Sequence, residues 1–275
     1  MKARVVVSLA ASAVFFASAL VVSAQGPGMT EPPKVLVVDR EYLKPGKSGS
    51  LHEKTEAAFV KALNDAKSPT HYLALDSLSG PSRSLFFLGY GSFEEWGKSQ
   101  EAEHANATLS AALDQAYIDD GELLSESGTH VFLYHPEMSL HAGVAIEHMR
   151  YFEISQFHIK PGHRHEWEEL AKLYKSGFEK TPEVHWAAYE SIYGENNGGL
   201  WAVINPMRSL DEVDKGMAQD KQLEAALGEA GMKRLVELSS ACIESSQTNV
   251  FVVNTKNSYS SEEWVKAAPE VWGQH

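Results

Sequence analysis

Tyr42-Leu-Lys-Pro-Gly46 recurs as His158-Ile-Lys-Pro-Gly162, 116 residues further on. Thr70-His-Tyr-Leu-Ala-Leu-Asp-Ser-Leu-Ser-Gly80 recurs as Val184-His-Trp-Ala-Ala-Tyr-Glu-Ser-Ile-Tyr-Gly194, at an offset of 114. Working outward, Leu109-Ser-Ala-Ala-Leu-Asp-Gln-Ala116 is matched by Leu223-Glu-Ala-Ala-Leu-Gly-Glu-Ala230, again at 114, and Thr129-His-Val-Phe-Leu133 by Thr248-Asn-Val-Phe-Val252 at 119. Four segments in the same order at nearly constant offset mark an internal duplication. The copies span 34–136 and 149–254, each the size of a small domain, with a linker at 137–148 and a polar tail at 255–275.

Period and punctuation give each copy its elements. Lys34 to Leu43 and Arg150 to Ile159 are rich in β-formers and stop at Lys-Pro-Gly, so each is a strand ending in a turn. Trp167, Leu170, Ala171, Tyr174 and Phe178 fall at helical spacing, and Leu51, Thr55, Ala58, Phe59 and Ala62 form the weaker counterpart. The segments 70–78 and 184–192 read as strands. The turn clusters Ser79–Ser82 and Asn196–Gly199 follow, each leading into another strand. Ser50/Glu53, Ser92/Glu95 and Ser209/Glu212 have the spacing of capping boxes. The strands 129–135 and 248–254 close the copies. Each copy is thus β-α-β-β-α-β, the split arrangement of ferredoxin-like folds. Helices cover only one face of such a sheet, and the second copy is the nearest cover for the other. The expected class is α+β: two tandem ferredoxin-like repeats packed face to face as a pseudo-dimeric barrel.

The chain has 275 residues, 43% hydrophobic and 22% charged, which excludes a disordered or low-complexity polypeptide. A net charge of −13 argues against a nucleic-acid backbone or an anionic membrane as partner. The lone cysteine, Cys242, excludes an intrachain disulfide framework. Residues 1–24 combine Lys2 and Arg4, an apolar run from Val5 to Val22, and small residues at Val22-Ser-Ala24. That is the pattern of an export signal cleaved after Ala24. The expected location is periplasmic or secreted, with no membrane attachment after cleavage and a mature charge of −15, because the signal carries two basic and no acidic residues.

A strand ending in Lys-Pro-Gly, an amphipathic helix, a strand starting at a His-aromatic pair, a hairpin and a Ser-capped helix resemble the dimeric α+β barrel superfamily. That group includes antibiotic-biosynthesis monooxygenase-like, NIPSNAP-like and EthD-like domains. The resemblance covers both copies and implies a fused version in which one polypeptide supplies both halves of a dimer, as a monomeric pseudo-dimer or a homodimer of such chains. Its members are chemically diverse, so it implies fold more than activity. It admits a cofactor-independent monooxygenase acting on a phenolic or quinol substrate, with His185 or His158 as base. It also admits haem, held by His71 or His185; no cofactor is required.

The residues themselves nominate a pocket for a small apolar or aromatic ligand. His71 and His185 occupy equivalent positions, each followed by an aromatic residue, Tyr72 and Trp186, and imidazole titrates near working pH. Asp39 and Glu41 in the first strand are answered by Glu153 and Ser155; Arg40 and Tyr42 are answered by Gln156 and His158. Polar groups in both rows place part of this strand at a polar cavity or a rim. Candidate ligand-binding residues are His71, Tyr42, Gln156, Trp186, Tyr189 and Glu190. His158, His163, His165 and His185 match no metal-binding signature, and no metal is expected from them. No nucleophile elbow, phosphate loop or His-Glu-x-x-His motif is present.

Overall fold

A computed structural model describes residues 31–194 and 199–273. The predicted export signal and most of the predicted turn Asn196–Gly199 lie outside the described residues. The first copy runs β1 (Val35–Leu43), α1 (Ser50–Ala66), β2 (Leu73–Ser77), β3 (Arg83–Tyr90), α2 (Phe93–Ala105), α3 (Ala107–Gly121) and β4 (Leu124–Tyr134). The second repeats the order as β5 (Tyr151–Ile159), α4 (Arg164–Phe178), β6 (Ala187–Tyr193), β7 (Leu200–Met207), α5 (Asp211–Ala218), α6 (Asp220–Cys242) and β8 (Ile243–Val253). Asn106 divides the second helical stretch of the first copy, and its side chain caps α3 by accepting from the Leu109 N–H at 3.1 Å.

All eight strands close into one antiparallel barrel in the order β1-β3-β2-β8-β5-β7-β6-β4. Two seams join the copies: β2 to β8, with Leu75 opposite Val253, and β4 to β6, with Leu133 opposite Glu190. The duplication extends to irregularities. The β1–β4 register shifts between Tyr42 and Leu43, and the β5–β8 register shifts between His158 and Ile159.

Side-chain alternation sorts the residues into layers. Leu36, Val38, Leu73, Leu75, Leu85, Phe132, Phe152, Ile154, Tyr189, Ala202, Ile204 and Phe251 form the barrel interior. Burying one such side chain contributes roughly 1.5–3 kcal/mol, so an unpartnered four-stranded sheet would expose a face of high cost. Outside, Phe59, Leu63, Ala74, Phe86 and Leu113 fill the first copy's sheet–helix layer, and Ile159, Trp167, Leu170, Trp201 and Leu238 the second's.

The segments after β4 and β8 clasp the opposite copy in the same way. His135 N–H donates to Ala188 O at 2.9 Å, and Asn254 N–H donates to Ala74 O at 2.9 Å. Ser139 Oγ accepts from the Ala188 N–H, and Ser258 Oγ accepts from the Ala74 N–H, both at 2.9 Å. Leu140 bridges Trp186, and Tyr259 bridges Tyr72. Residues 135–140 and 254–259 are therefore equivalent hooks, each ordering the His-aromatic pair that precedes the other copy's second strand.

Three expectations differ in detail. The polar tail folds back onto the barrel. It forms α7 (Glu262–Ala267) and α8 (Pro269–Trp272), and Trp272, 2% exposed, joins the barrel interior while its Nε1–H donates to Glu147 O at 2.8 Å. The buried face of α1 is His52, Glu56, Phe59, Ala62 and Leu63, whereas Leu51 and Ala58 face solvent. The capping boxes are realised unevenly. Ser92 Oγ accepts from Glu95 N–H, but the Glu95 carboxylate reaches back to Gly91 N–H. Gly49 occupies the cap position of α1 without a side-chain bond, and Leu210 rather than Ser209 caps α5.

Removing a clasp hydroxyl strands a buried backbone N–H. Ser139→Ala and Ser258→Ala should each lower the stability of the barrel by about 1–3 kcal/mol in equilibrium urea unfolding. Unchanged midpoints in both variants would show that the hooks do not hold the copies together.

Candidate functional site

The two ends of the barrel interior differ in chemistry. At the end where β1 and β5 begin, the inward row is Leu36 and Val38, and Phe152 and Ile154; at the other end it is Arg40 and Tyr42, and Gln156 and His158. The polar end is tied internally. Arg83, 6% exposed, donates from Nη1 to Tyr42 Oη at 3.2 Å, and its guanidinium lies over the rings of Phe251 and Tyr42.

A cavity of about 890 Å³ opens at the apolar end. Leu36, Leu73, Phe87, Phe152, Ala187, Tyr189 and Ile204 form its inner wall. Ala142, Val144 and Ile146 from the linker and Trp264 from the tail cover part of its mouth. His71, His185 and Trp186 stand at its sides, with Pro33 and Lys34 and residues of α2 at the rim. The linker and tail each follow a hook, so the connections that join the copies also build the roof.

The two histidines are held differently. The 3.2 Å contact from His71 Nδ1 to Tyr259 O places the proton on Nδ1, and its ring packs on the Tyr259 ring at 4.7 Å. Nε2 then carries the lone pair and is the nitrogen able to accept a proton or ligate a metal. His185 places Nε2 2.6 Å from Pro206 O and Nδ1 3.3 Å from Glu183 O. Both of its nitrogens face carbonyl oxygens, so a basic role for His185 would require breaking one of these contacts.

The remaining nominated residues divide between places. Tyr189 lines the cavity, and its hydroxyl donates to Pro33 O at 3.2 Å. Trp186 lines it too, its Nε1–H donating to Met138 O at 2.9 Å. Tyr42, Gln156 and His158 sit at the opposite, polar end and do not reach it. Glu190 points outward, paired with both terminal nitrogens of Arg164 and with His135 Nε2 at 3.0 Å. Phe87, Phe152 and Trp264 were not nominated from sequence; the alternation of Phe152 with Ile154 was the available signal. A second cavity, about 750 Å³, lies between the outer face of the second sheet and α4–α6, and shares His185 and Trp186 with the first.

Comparison with known structures falls on the barrel as a whole. A candidate monooxygenase from Fusobacterium nucleatum superposes with a TM-score of 0.51 at 12% identity, covering 82% of this chain and 94% of its own. The chain has the dimeric α+β barrel fold. An anthrone oxidase-like protein gives 0.51 at 12% identity over 83% of this chain and 94% of its own. A chlorite dismutase variant from Candidatus Nitrospira defluvii gives 0.46 at 9% identity over 86% and 95%. No protein-family model and no curated protein matches the chain. At these identities the barrel fold is what is shared, and the chemistry has to be argued from the cavity.

Burial raises the phenol pKa of Tyr189 far above its ordinary value, and burial together with the charge of Glu56 does the same to Tyr72. A phenol that keeps its proton longer when folded contributes stability below its unfolded pKa of about 10, and loses it as pH rises further. Alkaline absorbance titration should show a late class of tyrosines that ionise only as the barrel unfolds. Tyr72→Phe and Tyr189→Phe should each remove one member of that class and leave the early class unchanged.

Proposed function

We propose that the barrel binds a small, largely apolar or aromatic molecule in the cavity at its apolar end. The observation that carries this reading is the cavity itself: about 890 Å³, walled by Leu36, Phe87, Phe152 and Ile204, with the His71 imidazole in its lining, held through Nδ1. Small-molecule sites have this character, with volumes of roughly 300–1,000 Å³ and few polar groups among apolar walls. The reading includes export: cleavage after Ala24 delivers the chain to the periplasm or the exterior, as a single pseudo-dimeric barrel or a dimer of such barrels.

A suitable probe is 1-naphthol, which is aromatic and carries one hydroxyl. A ligand that binds only the folded state stabilises it by about 2.7 kcal/mol at a hundredfold excess over its Kd. Saturating 1-naphthol should therefore raise the melting temperature by several degrees. Ala187→Trp, which fills the inner wall, should weaken binding at least tenfold while leaving the circular dichroism spectrum unchanged. Undiminished affinity in that variant would place the ligand elsewhere.

His71 also supports a second reading, a cofactor-independent monooxygenase-like activity on a phenol or quinol. Its Nε2 would take the substrate's hydroxyl proton, and the resulting electron-rich anion would itself reduce dioxygen. That the fold is shared with a candidate monooxygenase and an anthrone oxidase-like protein is compatible with this activity. Oxygen uptake with a quinol panel should fall at least tenfold in His71→Ala. His185→Ala and His158→Ala test the sequence-based assignment in the same assay, and full activity in all three would sink it. Haem is a further candidate. His71 Nε2 would hold its iron, so a Soret band lost in His71→Ala would decide for it.

A further inference from the structure

Away from the cavity, four ionisable side chains meet in the sheet–helix layer of the first copy. Glu41 projects outward from β1, His52 and Glu56 stand one turn apart on α1, and Asp120 comes from the end of α3. His52 Nε2 lies 3.1 Å from Glu41 Oε2, 3.6 Å from Glu56 Oε1 and 3.6 Å from Asp120 Oδ1. All four residues are buried, none more than 8% exposed. Among the described residues no lysine or arginine pairs with any of the three carboxylates. Burial pushes the Glu41 and Glu56 carboxyls up, Glu56 well above its usual range. Three buried carboxyl groups beside one imidazole either keep protons or share a further cation, because burying unpaired charge costs several kcal/mol per group.

Three further observations bear on whether the cluster holds a cation. Among the described residues, Glu56 Oε1 and Asp120 Oδ2 are fully buried and accept no hydrogen bond, although buried carboxylate oxygens are normally satisfied. The Tyr72 hydroxyl, outside the cluster but with Glu56 and Glu41 among its charged neighbours, is also buried without a partner. The second copy shows that the fold does not need polar groups here. Phe157 stands where the repeat places Glu41, Trp167 and Ala171 occupy the turns of α4 that correspond to His52 and Glu56, and Leu235 and Leu238 pack over them.

We infer that Glu41, His52, Glu56 and Asp120 form a binding site for one divalent first-row transition ion, of the zinc or manganese kind. One candidate ligand atom from each residue lies within 4.8 Å of the others. Ligands about 2.0–2.2 Å from a common ion lie about 3–4.2 Å apart, so a modest contraction completes the site. An imidazole beside carboxylates selects these ions over calcium or magnesium, which take oxygen ligands. With four buried protein ligands, the ion would be structural: it would tie β1 to α1 and α3 through coordination bonds. This site is separate from the ligand cavity and does not depend on how the cavity is used.

The full chain should be purified without added metal, assayed by elemental analysis, stripped with a chelator and titrated separately with Zn²⁺, Mn²⁺ and Co²⁺. One equivalent of at least one ion should bind, with a rise in melting temperature, and bound Co²⁺ should show visible d–d absorption. Glu56→Gln and Asp120→Asn, which keep side-chain shape, should each weaken binding at least tenfold. The triple variant Glu41→Phe, His52→Trp, Glu56→Ala imports the second copy's residues; it should fold and bind no ion at this site. A wild-type chain that takes up none of the three ions at one equivalent overturns the proposal. Binding that survives intact in Glu56→Gln, Asp120→Asn and the triple variant overturns it too, because it would belong to surface histidines.

Discussion

The structure depends on the need of two four-stranded sheets to bury the face their helices leave bare. In each copy the helices cover the outer face of the sheet, and the inner face carries Leu36, Val38, Leu75 and Leu85, or Phe152, Ile154, Ala202 and Ile204. Each sheet is the cheapest available cover for the other, and closing the ring also removes two pairs of exposed strand edges. The seams β2–β8 and β4–β6 carry the closure, and the hooks at 135–140 and 254–259 extend it beyond the strands. Because both copies lie on one chain, association costs no translational freedom. That suits a chain whose single cysteine, Cys242, is buried and unpaired.

Fusion also frees the copies to diverge while the architecture stays fixed. A two-chain barrel of identical subunits carries every feature twice. Here the corresponding places differ: ionisable residues occupy the first copy's outer layer, where the second has an aromatic and aliphatic cluster. The interior differs in the same way, with Tyr42 and Arg40 set against His158 and Gln156 at the polar end. Symmetry governs the backbone, down to the matching register shifts beside Tyr42 and His158, and does not govern the side chains.

That division explains what could be read from sequence. Strand order, the duplication and the barrel depend on period, turn residues and repeated segments, all of which are local. The hooks share one serine, Ser139 and Ser258, and otherwise compare His-Pro-Glu-Met with Asn-Thr-Lys-Asn; their equivalence lies in backbone hydrogen bonds, which leave almost no trace in composition. The inward face of α1 was hidden for a related reason. Hydrophobic spacing selected Leu51 and Ala58, yet the helix buries His52 and Glu56, whose polarity reads as solvent-facing until Glu41 and Asp120 are brought beside them. Of the nominated catalytic and ligand-binding residues, His71, His185, Trp186 and Tyr189 share the cavity because they flank or belong to equivalent strands. Tyr42, Gln156 and His158 lie at the other end of the same barrel, a separation that depends on strand length and direction rather than residue type.

The position of the cavity follows from the same closure. Arg83, Tyr42 and Phe251 tie the polar end together through a hydrogen bond and guanidinium–ring contacts. The apolar end is roofed by segments that first have to clasp the opposite copy. Tyr259 therefore has two tasks: its backbone bridges Tyr72 to hold the first copy's second strand, and its carbonyl orients the His71 imidazole at the cavity wall. A molecule that displaces His71 must work against a contact that also secures the barrel. One that accepts the imidazole as it stands meets a pre-oriented nitrogen at no further cost in ordering. The clasp that closes the fold thus sets the chemistry that any molecule entering the cavity would have to satisfy.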